Sequence, residues 1–72
     1  MISFEIGDIE QLEIHLDRNG LADLLAQLKL LDDNKTDHIH LMAESWGGGH
    51  LEDEAVNEAA KPIKHVKIIM RG

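Results

Sequence analysis

Apolar and polar residues alternate along four parts of the chain, which is the pattern of half-buried β-strands. The first two runs, Ile2–Ile6 and Leu12–Leu16, are separated by a turn at Gly7-Asp8 and predict a hairpin. The second run also fits helical spacing, because Ile9, Leu12 and Leu16 would share a helix face. We favour the strand, since alternation holds from residue 11 to residue 17.

Leucines recur at helical spacing in the next part of the chain. Asn19-Gly20 interrupts the alternation, and Asn19 is a suitable N-cap for a helix. The stripe predicts a helix of about three turns that ends near Asp32-Asp33-Asn34. Its members are Leu21, Leu24, Leu25, Leu28 and Leu31.

Two further strands are predicted at residues 38–43 and 63–70, with a long connection between them that contains Gly47-Gly48-Gly49. Residues 54–60 of that connection could form a short helix stopped by Pro62. The order β-β-α-β-β predicts an α+β fold for residues 1–72 as a single domain. Its four-stranded, mainly antiparallel sheet would carry one helix on one face, with the glycine-rich loop before the last strand.

One helix can cover only one face of such a sheet, so the other face is predicted to stay open. The alternation assigns ten residues to it: Glu5, Gln11, Glu13, His15, His38, His40, Met42, His65, Lys67 and Ile69. Such a face could bind zinc through His38, His40 and a third histidine, or it could respond to pH. We favour a protein interface, because structural zinc sites usually include cysteine and the chain has none.

The loop Trp46-Gly47-Gly48-Gly49 is the second candidate feature. Glycine N–H groups can hold a phosphate, but here the acids Glu52-Asp53-Glu54 follow and would repel an anion. A turn beside an interface tryptophan fits the sequence better. No nucleophile and base can be paired, so we expect neither an enzyme nor a cofactor, and no catalytic residue is assigned.

Charge is unevenly distributed over the 72 residues, whose net charge is −7. Residues 1–60 hold fourteen acidic against three basic residues, whereas residues 61–72 hold four basic residues and no acid. The acidic part disfavours nucleic acid and favours a basic protein partner. The absence of cysteine, of a signal-peptide pattern and of a long apolar run predicts a cytoplasmic protein without membrane contact.

The segment His38-Ile39-His40-Leu41-Met42, followed by Trp46-Gly47-Gly48 and Leu51-Glu52, resembles the Imm32 family of bacterial polymorphic toxin systems. The strand His65–Ile69 is similar to that family's closing strand, so the resemblance covers residues 37–70. It implies an immunity protein that binds and neutralises a cognate toxin in the producing cell.

On this basis we predict eight partner-binding residues: His38, His40, Met42, Trp46, Gly47, Gly48, Glu52 and Asp53. Two other classes stay open at this point. One is a small histidine-based metal-binding domain, and the other is a homodimer whose open sheet faces pack together.

Overall fold

A computed structural model describes residues 1–72 and contains five β-strands, one α-helix and one 3-10 helix. The strands are β1 (Ile2–Ile6), β2 (Leu12–Leu16), β3 (His38–Met42), β4 (Lys61–Ile63) and β5 (His65–Ile69). The helix α1 spans Arg18–Asp32, and the 3-10 helix spans Glu44–Trp46. The structure has no helix whose length and hydropathy would let it span a membrane.

The strands form two antiparallel sheets, so the prediction of one four-stranded sheet is wrong in this detail, although the α+β class is confirmed. One sheet has the order β2-β1-β4 and the other pairs β3 with β5. The predicted last strand, residues 63–70, is interrupted at Lys64, whose carbonyl accepts a hydrogen bond of 2.8 Å from Ala43 N–H. Residues before Lys64 therefore pair with β1, and residues after it pair with β3.

The core joins the two sheets through five buried side chains: Ile2, Phe4, Leu41, Ala43 and Leu51. Leu24 of α1 and Ile63, Val66 and Ile68 of the last strands pack around them. The side of β3 opposite the predicted open face packs inwards, because Ile39, Leu41 and the following Ala43 are all buried. The alternation of apolar and polar residues in β3 therefore correctly predicts which side chains face the core and which face away from it.

Helix α1 starts two residues earlier than Asn19 would allow as N-cap. The cap is Asp17, whose carboxylate accepts a hydrogen bond of 2.7 Å from Gly20 N–H, while Asn19 already lies within the helix. Only part of the leucine stripe is buried: Leu31 is fully inside, whereas Leu25 is 57% exposed. The helix contacts the sheets along a narrower strip than the stripe predicts.

The second face of the three-stranded sheet is covered, contrary to the prediction of a continuous open face. Glu5, which lies on that face, is 0% exposed. Its carboxylate accepts hydrogen bonds from Val56 N–H (2.6 Å) and Asn57 N–H (3.0 Å) of residues 52–60, which we call the covering segment. The helix predicted over 54–60 does not form, because these N–H groups bond to a side chain rather than to helix carbonyls.

Burial by itself would raise the pKa of the Glu5 carboxyl. The Ser3 hydroxyl and the two N–H groups of the covering segment donate to the carboxylate and outweigh burial. With His15 nearby, they hold the pKa of Glu5 below its ordinary value. Glu5 is therefore an ionised buried group whose hydrogen-bond partners come from both ends of the sequence.

The Glu5→Gln variant tests this arrangement. The glutamine amide has the same shape as the carboxylate, but an NH2 group replaces one of the two acceptor oxygens. At least one of the buried donors, Ser3 O–H, Val56 N–H or Asn57 N–H, then has no acceptor. We expect the melting temperature to fall by about 5–15 °C. Thermal unfolding followed by circular dichroism measures it. The exposed Glu58→Gln is the matched control, and an equal effect of both variants would contradict the structural role of Glu5.

Acid should destabilise the chain through the same carboxylate. Because the pKa of Glu5 is lower in the folded than in the unfolded chain, its stabilisation is present above the unfolded pKa and is lost as the pH falls through the folded pKa. The Asp53 carboxylate should also lose its stabilising effect in acid, because the hydrogen bond from the Ser45 hydroxyl lowers the pKa of Asp53 in the folded chain. Urea unfolding from about pH 7 to about pH 3 should show this loss, with a shallower slope in Glu5→Gln.

Candidate functional site

The sheet formed by β3 and β5 keeps one face open to solvent. Cross-strand neighbours on this face are His38 with Ile69, His40 with Lys67, and Met42 with His65. We call these six residues together with Trp46 the histidine–tryptophan face. The prediction that His38, His40 and Met42 share a face with the basic last strand therefore agrees with the register.

Three histidine rings and the indole form a continuous row on this face. His40 Nδ1 lies 2.8 Å from His65 Nε2, a hydrogen bond in which one ring donates and the other accepts. The His38 ring meets His40 edge-on, with centroids 5.2 Å apart, and the Trp46 ring lies 5.8 Å from His65. Partial desolvation, together with His65, His38 and Lys67, lowers the pKa of His40, so this ring stays neutral at neutral pH.

Trp46 is held at the edge of the face by the turn that follows it. The indole ends the 3-10 helix Glu44–Trp46 and is 60% exposed. Gly47 then adopts a left-handed conformation (φ 86°) and donates its N–H to the Glu44 carbonyl. Glycine fits here because a Cβ disfavours that region of φ.

The three consecutive glycines have different roles. A Cβ added at Gly48 would lie 2.4 Å from the Met42 carbonyl oxygen, whereas one added at Gly49 would meet nothing within 4 Å. Gly48 thus lets the loop lie directly against the end of β3. The turn interpretation of the loop accounts for Gly47 and Gly48.

Glu52 and Asp53, the two predicted acidic contacts, differ in their environment. The Asp53 carboxylate accepts hydrogen bonds from the hydroxyl and the N–H of Ser45 and lies 4.0 Å from Lys64 Nζ. The Ser45 hydroxyl is the main cause that lowers its pKa. Glu52 bonds to Ile2 only through its backbone N–H (2.9 Å), so its exposed side chain remains available. The Asp53 side chain therefore stabilises the loop through Ser45, whereas the Glu52 carboxylate is exposed to solvent.

Glu52 belongs to a depression of about 540 Å³ beside the loop. Five acidic residues line it: Asp23, Glu44, Glu52, Asp53 and Glu54. We call it the acidic depression. Asp23 comes from α1, so the helix adds charge to a surface that the sequence placed on the loop alone.

One set of three metal-ligating side chains converges in the structure, namely Glu5, Glu13 and His15, whose ligating atoms lie within 4.8 Å of one another. Hydrogen bonds inside the protein already use these atoms: His15 Nε2 bonds to Glu13 (2.8 Å), and Asn57 donates to Glu13 as well. The set therefore joins β1, β2 and the covering segment. It lies on the covered face. The metal site that the sequence suggested would instead lie at His38 and His40.

His65 and Asp23 are the site residues that sequence reasoning left out of the predicted set. His65 was assigned to the open face by alternation, but its contact with His40 depends on the β3–β5 register. Asp23 gave no signal, because an acidic residue on an exposed helix surface is ordinary.

Gly48→Ala should destabilise the loop and the end of β3. The added Cβ would clash with backbone atoms of Met42, which cannot move without disturbing the strand. We expect a loss of about 1–3 kcal/mol in the free energy of unfolding. Gly49→Ala is the matched control and should stay within about 0.5 kcal/mol of the wild type in urea titrations. Equal stability of both variants would contradict the close packing of Gly48.

No curated protein and no solved structure matches the chain. The family model described as immunity protein 32 matches residues 11–63, which include β2, α1, β3, the glycine loop, β4 and all eight predicted partner-binding residues. This confirms the resemblance to the family and extends it to β2 and α1, whereas the strand His65–Ile69, which the sequence likened to the family's closing strand, lies outside the matched residues. Because the match spans more than half of the 72 residues, the chain belongs to the immunity protein 32 (Imm32) family.

Proposed function

We propose that this chain is a non-catalytic immunity protein that binds a cognate toxin and neutralises it in the cytoplasm of the producing cell. Membership of the Imm32 family supports the role. The observation that carries the choice of surface is Trp46, which is 60% exposed on the histidine–tryptophan face. Tryptophan is enriched among the residues that contribute most to binding energy at protein interfaces.

The surroundings of Trp46 suit a surface that loses water on binding. Met42 and Ile69 provide apolar area, and Ile69 is among the exposed large hydrophobic residues. The lowered pKa of His40 keeps that ring neutral near neutral pH, so covering it does not require burial of a charge. The face therefore offers aromatic and apolar contact with polar ring nitrogens for hydrogen bonds.

The acidic depression adds an electrostatic contribution next to the same loop. Its five carboxylates attract a basic partner over a long range and raise the association rate. The contacts proposed for the toxin are the eight predicted residues with His65 added. Within this set Gly47, Gly48 and Asp53 shape the loop, while Trp46, His40 and Glu52 offer exposed side chains.

The alternative of a histidine-based metal site has less geometric support. His38 Nδ1 bonds to Asp37 at 2.7 Å, and the His40 and His65 rings bond to each other. Metal analysis of untagged protein purified without added zinc tests this alternative. A stoichiometry near one metal per chain would favour it.

The direct experiment uses the toxin domain encoded by the neighbouring gene. Cells that express this domain should survive only when the immunity chain is co-expressed, and the two proteins should co-purify. If the neighbouring product is a metabolic enzyme that the chain neither binds nor inhibits, the proposal fails.

Trp46→Ala should weaken toxin binding by about 30-fold or more, the loss typical of a central aromatic contact. Calorimetric titration of an inactive toxin domain measures it. Leu25→Ala is the matched control, because Leu25 is 57% exposed but lies on α1, which packs on the core side of β3. The control should bind within about threefold of wild type. Equal losses in both variants would exclude the histidine–tryptophan face as the contact.

A further inference from the structure

The outer edge of β2 is unprotected. In the sheet order β2-β1-β4, only β1 pairs with β2. Natural edge strands are usually blocked by lysine, proline or a bulge, and β4 at the other edge has Lys61 and Pro62. By contrast, β2 reads Leu-Glu-Ile-His-Leu and pairs with β1 in continuous register, without a bulge.

The direction of the free backbone groups follows from the hydrogen bonds at the two ends of the hairpin. Gly7 N–H donates to the Gln11 carbonyl and Asp17 N–H donates to the Met1 carbonyl. Hydrogen-bonded and non-bonded pairs alternate in an antiparallel ladder, so Glu13 and His15 direct their N–H and C=O groups towards β1. The N–H and C=O groups of Leu12, Ile14 and Leu16 then point outwards, away from β1.

We propose that β2 is a homodimer interface, at which a second copy of this chain pairs with β2 in antiparallel orientation about a two-fold axis at Ile14. This register places Ile14 opposite Ile14 of the second copy, and Leu12 opposite Leu16. Each of these three residue pairs brings together two residues whose free backbone groups point away from β1. Each pair can form two backbone hydrogen bonds, so the antiparallel ladder between the copies can hold six. The second copy would extend the three-stranded sheet to six strands.

The avoidance of like-charge pairs selects this register. With the axis at Ile14, Glu13 of each copy lies opposite His15 of the other, on the covered face. An axis at Glu13 would instead oppose two glutamates, and an axis at His15 would bring Glu13 opposite Asp17. The strand is therefore self-complementary in one register.

The exposed apolar side chains of β2 also favour pairing with a second copy. Leu12, Ile14 and Leu16 are all exposed, with 47% of Ile14 accessible. Edge-to-edge pairing would cover them with their counterparts, and Ile6 lies beside Leu12 in the same sheet. This contact differs from a homodimer formed by open sheet faces, because it leaves the histidine–tryptophan face free. It does not depend on the proposed toxin binding.

Sedimentation velocity over a wide concentration range tests the interface. The wild-type chain should form a dimer, and Ile14→Lys should raise its dissociation constant by at least about tenfold, since two like charges would meet at the axis. Met70→Lys is the matched control, because Met70 is 52% exposed and follows β5 in the other sheet. Circular dichroism of both variants checks that they fold. A strictly monomeric wild type, or a folded Ile14→Lys chain that dimerises as well as wild type, would overturn the proposal.

Hydrogen exchange of the wild-type chain tests the register itself. Protection of the Leu12, Ile14 and Leu16 amides should increase with protein concentration, whereas the Glu13 and His15 amides are already bonded to β1 and should change little. A dimer whose concentration-dependent protection lies in β3 or β5 would overturn the β2 interface. Neither measurement includes the toxin, so its outcome is separate from that of the proposed function.

Discussion

The Glu5 carboxylate is the contact on which the arrangement of the rest of the chain depends. It is buried between the three-stranded sheet and the covering segment, where Ser3, Val56 and Asn57 donate to it. A buried charge is stable only when hydrogen bonds replace its water. Here the covering segment supplies two backbone donors without forming a helix, so one side chain of β1 holds the middle of residues 52–60 against the sheet. The covering segment closes one sheet face, whereas the β3–β5 face stays open to solvent.

The periodic parts of the chain could be predicted from sequence, because alternation and helical spacing are local signals. They located the hairpin, the helix and β3, and they placed His38, His40 and Met42 on one face. The burial of Glu5 could not be predicted in this way. Alternation assigns a charged residue to solvent, and the donors of Glu5 lie 51 and 52 residues away in the sequence. The split of the last strand at Lys64 has the same origin, since it depends on pairing with two different strands.

The glycine loop shows how a structural requirement can produce a feature that resembles a binding motif. Gly47 needs a left-handed conformation and Gly48 needs contact with the Met42 backbone, so two of three glycines follow from packing alone. Trp46 has no comparable structural explanation, because most of its surface is exposed. The packing of the loop thus fixes the position of an aromatic ring that the core does not use. A rigid support reduces the entropy that a ring loses on binding.

The two proposed contacts lie on different sheets and differ in their electrostatics. The edge strand β2 belongs to one sheet, and the histidine–tryptophan face belongs mainly to the other. In the proposed dimer, a second copy with a net charge of −7 would be repelled at long range and would have to be held by apolar side chains and backbone hydrogen bonds. A basic toxin, as proposed, would be attracted at long range by the acidic depression. Screening by salt would therefore favour dimerisation and slow toxin association. Because the two proposed interfaces use different sheets, one small chain could carry both, and the opposite response to salt would distinguish them.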